Sequence, residues 1–493
     1  MKTNTWSFAF KIAEFLMSKY YILLFAAACL LTASCQPVIS KFTMQKMVAI
    51  DDEGDPKLYA YKDDDRIIET DEYSFDKQLD QMMSAIQQSG RRKILIYVFG
   101  GMNSVDSMVS ITDEMARIIY SQSDYYPIFV SWESTLFECY LDHLFMIRRG
   151  EKSYGFGPAL SPFYLTVDLG RAVTRLPINL VYQSYGAFST EGDFPEMDAK
   201  TIKKIENMKM RVYIGNDNYP AYYRYMERTS YIAGLPLRII TTPAIDTCGK
   251  SAWDIMRRRS KTAFIKAQPV ESSVEKEINT ALSPSDGAMS RLMDRLSALY
   301  REHPDYEFTA IGHSMGPFII NEMIARYPEL PYKNIVYMAP ACSIIEAARA
   351  LKPYLENNPK STFYNLCIHP HRDTQDMMIY GCLPRGSVLE WIDLYLSDPV
   401  SDDDLTLGQW DNAVFMLPRL MNTVQSQIVV KAFGLKDPVT NTIVLDMPGQ
   451  HTDFGEPVLR FWEPVFWEIP VSASTKNGIT KNGTNKNGMH KGK

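Results

Sequence analysis

The stretch FTAIGHSMGPFII at 308–320 constrains the fold of this chain more than any other feature. Its first residues form a short apolar run typical of a buried strand, and residues 317–327 have the composition of a helix. The pentapeptide GHSMG therefore lies on a turn between a strand and a helix, where G-x-S-x-G forms a nucleophile elbow. Such a turn strains the serine backbone and leaves no room for side chains at its two glycines. The pattern predicts that Ser314 is a nucleophile.

A serine hydroxyl attacks only when a base removes its proton, and that base needs an acid to orient it. Where such an elbow lies in a parallel sheet, the three groups follow one another as serine, acid and histidine. The chain has seven histidines; His490 lies in the tail, and His451 follows the last predicted strand in the loop PGQHTDFGEP. We therefore predict that His451 is the base. An exposed loop histidine with no catalytic role is the alternative.

The acid is expected in the loop HPHRDTQDMM, which follows the predicted strand 362–368. This loop offers Asp373 and Asp376, and we choose Asp373 because it lies nearer the end of the strand. Asp376 is open to a second interpretation, as a residue that begins a turn or helix. Glu346, after the preceding strand, is a weaker candidate.

An oxyanion hole requires two backbone N–H donors aimed at the charge that develops in the transition state. One is expected from Met315, directly after the nucleophile. The other is expected from the loop FGGMN at 99–103, where Gly100 and Gly101 let the backbone come close to a substrate. An ordinary Gly-Gly turn is the alternative for this loop.

Strands alternating with helices predict a mainly parallel sheet flanked by helices. A hairpin is expected at 46–61, on either side of DDEGD. The predicted helices are 76–88, 200–210, 290–303 and 317–327, and the predicted strands are 93–99, 126–132, 308–311, 334–339, 362–368, 427–433 and 442–445. The chain divides into a signal (1–35), a first part of the core (36–132), a mostly helical insertion (133–281), a second part of the core (282–470) and a disordered tail (471–493).

The motifs YVFGGMN, AIGHSMG and PGQHTDFG, in this order, resemble the oxyanion loop, nucleophile elbow and histidine loop of the α/β-hydrolase superfamily of serine esterases and lipases. The resemblance covers about 90–132 and 282–470. It implies the α/β-hydrolase fold and an acyl-enzyme mechanism that needs no metal or cofactor. The insertion would then be a cap over the site. Relatives often carry histidine where Phe99 stands.

The N-terminus has the form of an export signal. Residues 20–31 are apolar but too short to span a bilayer, and small residues and Cys35 follow them. The stretch LLTASC resembles the lipobox of bacterial lipoproteins, which implies lipidation at Cys35 and an exported, membrane-anchored protein of the cell envelope. The signal fits best when it starts at Met17. A plain cleaved signal peptide with an incidental cysteine is the alternative.

The net charge of −6 argues against nucleic acid as a main partner, because phosphate binding requires a basic surface. Five cysteines remain after the signal, an odd number that leaves at least one thiol free or paired between chains. A disulfide between Cys367 and Cys382 would close a short loop, and the sequence leaves this pairing and the oligomeric state open.

Two other functions stay open at this point. His369, His371 and Asp373 alternate along the chain as metal ligands on an extended segment would, although Pro370 interrupts the strand and no second ligand cluster follows. A non-catalytic envelope protein could also keep this fold and bind a partner through its insertion. We predict instead a hydrolase that cleaves a small-molecule or lipid ester; thioesterase, peptidase or acyltransferase chemistry would use the same three residues.

Overall fold

A computed structural model describes residues 37–63, 66–68, 75–148, 151–152, 157–189, 199–215, 221–265, 287–370, 373, 383–434 and 448–470. The predicted signal with Cys35, the predicted strand at 442–445 and the predicted tail lie outside these residues.

The protein is built on an eight-stranded sheet flanked by helices. The strands are β1 Met47–Ile50, β2 Lys93–Val98, β3 Tyr125–Trp132, β4 Arg211–Ile214, β5 Glu307–His313, β6 Tyr332–Met338, β7 Thr362–Ile368 and β8 Ile428–Phe433. Their order across the sheet is β1-β3-β2-β5-β6-β7-β8-β4, and each of the seven pairings is parallel. The predicted parallel sheet flanked by helices is confirmed.

The strands follow from runs of apolar residues. In β2, the sequence KILIYV is buried at every position except Lys93. β8 is buried at all six positions and β3 at all but the first. Parallel strands covered on both faces need such continuous runs, whereas a half-exposed strand alternates polar with apolar residues.

Fourteen α-helices are described. They are α1 Lys41–Met44, α2 Phe75–Gln88, α3 Val105–Gln122, α4 Leu136–Phe145, α5 Gly157–Ser189, α6 Ala199–Glu206, α7 Ala221–Thr262, α8 Ala288–Glu302, α9 Gly316–Arg326, α10 Ile344–Asn357, α11 Val388–Trp391, α12 Trp410–Phe415, α13 Leu417–Leu420 and α14 Pro464–Trp467. A π-helical turn, Ile392–Leu396, follows α11. Among the described residues, no helix is both long enough and apolar enough to cross a bilayer.

The hairpin predicted at 46–61 is wrong. β1 does not form a hairpin with the segment that follows it in sequence. It pairs in parallel with β3, at the edge of the large sheet. The turn at DDEGD does form, but it joins the two arms through one isolated bridge, between Ile50 and Pro56. The second arm, Tyr61–Asp63, belongs instead to a small sheet with Ile39–Ser40 and Arg66–Ile68.

The region predicted as an insertion is mostly helical, but it also supplies β4, which extends the main sheet beyond β8. Its largest elements are α5 and α7, which pack against each other and which we call the long-helix pair. Cys139, Cys248, Cys342 and Cys367 are free thiols. Cys367 is therefore not in a disulfide with Cys382, which lies outside the described residues.

Candidate active site

Ser314 occupies the predicted turn, since β5 ends at His313 and α9 begins at Gly316. Its φ is +54°, a left-handed conformation that costs a residue other than glycine roughly 1–2 kcal/mol. The next strand holds this backbone in place. The N–H of Ser314 donates to the carbonyl of Met338 (2.9 Å), and its own carbonyl accepts from the N–H of Ala341 (2.7 Å).

The two glycines of the motif are required by close approach. A Cβ added at Gly312 would lie 2.8 Å from the backbone nitrogen of Pro317, and one at Gly316 would lie 2.4 Å from the carbonyl oxygen of Val98. Real Cβ atoms essentially never come so close to backbone. The elbow therefore packs so closely against α9 and β2 that neither glycine position can hold a side chain.

The structure brings Ser314 and His451 together across 137 positions of sequence. The hydroxyl of Ser314 donates to Nε2 of His451 at 2.8 Å, and both side chains are buried. His451 is the first residue of a short 3-10 helix, His451–Gly455. This contact is the hydrogen bond that a serine nucleophile and its general base require.

His451 is neutral in this setting. Burial, with a smaller contribution from the neighbouring His313, lowers the pKa of His451 to about 3. A neutral imidazole with its proton on Nδ1 leaves Nε2 free to accept the proton of the serine. Nδ1 is buried, and within the described part of the chain it has no hydrogen-bond partner.

His313 has a positioning role that the sequence analysis missed. Its Nε2 donates to the backbone carbonyl of His451 at 2.9 Å, and the two rings lie 5.3 Å apart between centroids. Burial lowers the pKa of His313, so it is a neutral donor. Its place beside Ser314, at the end of a buried strand, was the only signal in the sequence.

Asp453 fixes the shape of the histidine loop from within. Its Oδ2 accepts hydrogen bonds from the N–H groups of Gly449 (2.7 Å) and Gln450 (2.8 Å). These bonds cap the short helix that carries His451. The carboxylate of Asp453 thus orders the backbone around the base.

The predicted oxyanion loop lies against the elbow. A Cβ at Gly100 would be 3.0 Å from Cβ of Ser314, and one at Gly101 would be 2.2 Å from Sδ of Met315. In the described residues, the N–H groups of Gly100, Gly101 and Met315 donate to no protein acceptor. Three uncommitted donors therefore lie around Ser314.

The same loop is held on its outer side. The indole Nε1 of Trp132 donates to the carbonyl of Phe99 at 3.2 Å, and the N–H of Met102 donates to the carbonyl of Ser134 at 3.0 Å. The ring of Phe99 is buried and stacks on Phe129. At this position an aromatic side chain therefore packs into the core.

Asp373 is buried after β7, but it does not hydrogen-bond His451. Its N–H donates to the carbonyl of His369 (3.0 Å). Burial, with a contribution from the negative charge of Asp373, raises the pKa of Cys367 and raises that of Glu390 to about 8. The pKa shift of His451 has no such contribution. In this structure Asp373 is therefore not hydrogen-bonded to the base.

The other acid candidates are placed as follows. Glu346 caps α10 by accepting from the N–H of Ser343 (3.0 Å), and it forms an ion pair with Arg257 of α7. Asp376 lies outside the described residues, as does His371 of the alternative metal cluster. Among the described residues no group of three or more histidine, cysteine or acidic side chains is close enough to hold a metal ion.

Comparison with protein-family models, with curated proteins and with solved structures finds no significant match to this chain.

Proposed function

We propose that the protein is a serine hydrolase of the α/β-hydrolase type that cleaves carboxylic esters through an acyl-enzyme. The observation that carries the proposal is the 2.8 Å hydrogen bond from Ser314 to Nε2 of His451, formed at a strained turn between a strand and a helix. A buried serine that serves only packing has no need of a left-handed backbone, which is costly unless it has a use.

In the first half of the reaction, His451 takes the hydroxyl proton while Ser314 Oγ bonds to the ester carbonyl carbon. The carbonyl oxygen becomes an oxyanion, for which the N–H groups of Met315 and the Gly100-Gly101 loop are the available donors. The intermediate collapses when the bond to the alcohol breaks and His451 gives its proton to that alcohol. Water then repeats these steps on the acyl-serine and releases the acid.

His451 becomes a cation in both halves of this reaction, and its burial opposes that charge. A carboxylate at Nδ1 would stabilise the cation and fix the tautomer. We propose Asp373 for this role, because it is buried and follows β7 at the carboxyl edge of the sheet, where Ser314 also lies. Binding of substrate would have to bring the carboxylate and Nδ1 together.

Labelling with a fluorophosphonate probe tests the proposal. The probe reacts with activated serines, so we expect the wild-type protein to be labelled and the Ser314→Ala and His451→Ala variants to remain unlabelled. Ser361→Ala is a matched control, since Ser361 is similarly buried but lies at the opposite end of the sheet, before β7. It should label as the wild type does.

The alternative is a binding protein that keeps this fold without catalysis. It is favoured by one observation: no described residue forms a hydrogen bond with Nδ1 of His451. A folded wild-type protein that neither reacts with the probe nor hydrolyses aryl esters would contradict the hydrolase proposal and favour this alternative.

We also propose that the chain is exported and lipid-anchored through Cys35, on the strength of its LLTASC stretch. In a bacterial host the mature protein should begin at Cys35, carry acyl chains and partition into detergent. A Cys35→Ser protein that is processed and anchored as before would contradict this.

A further inference from the structure

The long-helix pair has the reverse of the usual polarity. A helix on the surface of a globular protein directs its apolar side chains inward and its charged ones outward. In α5 and in residues 232–240 of α7, large apolar side chains are exposed. Those that are at least 60% exposed are Phe163, Ile178, Val181, Tyr185, Ile232 and Ile240.

Over α5 and over residues 229–249 of α7, the charged side chains are partly or fully buried. The 33 residues of α5 include only three charges, and all three are partly buried. Arg175 pairs with Asp398 at 2.8 Å, and Arg171 pairs with Asp246 of α7 at 3.3 Å. Asp246 and Arg238 are the only charges between 229 and 249 in α7, and both are fully buried.

Polar contacts join α5 to α7 and to the body. Asn179 donates to Asp246 at 3.1 Å, and Gln183 donates to Tyr395 at 2.9 Å. Near the start of α5, the hydroxyl of Ser161 donates to the carbonyl of Leu144 at 2.6 Å. Charges that pair inside a helix bundle while apolar side chains face outward are typical of helices whose solvent is lipid.

The extent of the outer surface favours lipid over a protein partner. Leu165, Thr166 and Val167 are consecutive and all exposed, although neighbouring side chains on a helix point about 100° apart. Around residues 165–167 the uncharged surface therefore wraps more than halfway around α5. The exposed apolar surface of the pair amounts to roughly 1,000 Å², about twice the largest apolar patch on a typical soluble monomer. A second protein covers one side of a helix, whereas lipid chains cover every exposed side.

We propose that the long-helix pair embeds its outer face in the hydrocarbon of one membrane leaflet. The hydrogen bonds near both ends of α5 hold it against the body, so the pair lies along the membrane and does not stand across it. The predicted anchor at Cys35 would bring the chain to the same surface. The proposal does not depend on the chemistry at Ser314.

The test is flotation of the full chain with vesicles of uncharged phosphatidylcholine, in a Cys35→Ser background that has no acyl anchor. This protein should float with the vesicles. Adding Ile178→Glu and Val181→Glu should weaken partition about tenfold or more, because a carboxylate in hydrocarbon is costly. The matched control is Val458→Glu with Val465→Glu, since these valines are 67% and 77% exposed but lie outside the pair. Its partition should stay within about twofold of the parent.

Circular dichroism verifies that each variant is folded before partition is compared. The proposal is overturned when the parent protein does not float, or when both pairs of substitutions weaken flotation equally. Sedimentation without lipid distinguishes the remaining occupant. A parent that does not float but forms a dimer, which Ile178→Glu with Val181→Glu dissociates, would assign this face to a second copy of the chain and overturn the lipid proposal.

Discussion

Replacing Gly316 by alanine tests whether the tight packing of the elbow keeps Ser314 in its working position. The new Cβ would lie 2.4 Å from the carbonyl oxygen of Val98 and 3.1 Å from the carbonyl carbon. Both atoms belong to the backbone of β2, so no side chain can turn away to make room. An ordinary contact between carbon and oxygen is about 3.3–3.6 Å, so α9 must move by about 1 Å relative to β2.

This shift has two measurable consequences. Overpacking costs about 1–3 kcal/mol of unfolding free energy, and the better helix propensity of alanine offsets at most about 1 kcal/mol of it. A displacement of 1 Å in a reacting group lowers the rate by about 100-fold. Urea denaturation measures the first effect, and the rate of fluorophosphonate labelling at Ser314 measures the second.

Gly170→Ala provides the matched control. Gly170 also lies in a helix, and a Cβ there meets nothing within 4 Å. This variant should be as stable as the wild type or up to about 1 kcal/mol more stable, with labelling unchanged. The reasoning fails if Gly316→Ala unfolds at the wild-type urea concentration and labels at the wild-type rate, because the contact with Val98 would then impose no constraint.

Three further predictions concern single side chains. Asp373→Asn should fold normally and lose on the order of 10⁴ in kcat on an aryl ester, which is the effect of losing the triad acid in a serine protease. Asp376→Asn should keep most of the activity. The reverse ranking would assign the role of the acid to Asp376. Ser314→Gly should be about 1 kcal/mol more stable than Ser314→Ala in urea, because glycine accepts the φ of +54° without strain; equal stability would show that the turn relaxes. Burial lowers the pKa of Lys431 from its ordinary 10.5 to about 7. Between these pH values the unfolded chain binds more protons than the folded protein. The free energy of unfolding should therefore rise with pH, by up to about 1.4 kcal/mol per pH unit. Lys431→Met should reduce this rise in urea denaturation between pH 7.5 and 10 and leave the part that Lys46 contributes, since burial lowers the pKa of Lys46 to about 8. The exposed Lys333→Met should keep the full rise.

The buried strands were predictable because their patterns are local. β7 was predicted at its observed bounds, since an apolar run between turn-forming residues suffices to define it. β4 was missed because RVYI is only four residues long and lies among helices, and its partner β8 is far away in sequence. β1 was taken for a hairpin arm because the turn after it is a strong local signal, while its pairing with β3 is not encoded nearby.

The site divides in the same way. Ser314 could be identified from the glycines on either side of it, and His451 from its position after the last strand. The order of elements was therefore enough to predict that these two side chains meet. The sequence did not determine which carboxylate is the acid. Its role depends on where a loop places one carboxylate relative to Nδ1 of His451, and strand order does not determine that distance. The exposed apolar surface of the long-helix pair could not be predicted either, because the sequence of an apolar helix does not indicate whether its side chains face a protein core or lipid.

The position of β4 has a consequence for synthesis. Arg211 pairs with Val429, so the ribosome makes this strand 218 residues (211 to 429) before β8, its one neighbour in the described part of the sheet. At 5–20 residues per second, the interval is roughly 10–40 s. During this time β4 cannot pair with β8. The apolar helices α5 and α7 also leave the ribosome before the body they pack against is complete. A chain with this order of elements leaves β4 without this strand partner until β8 has been made.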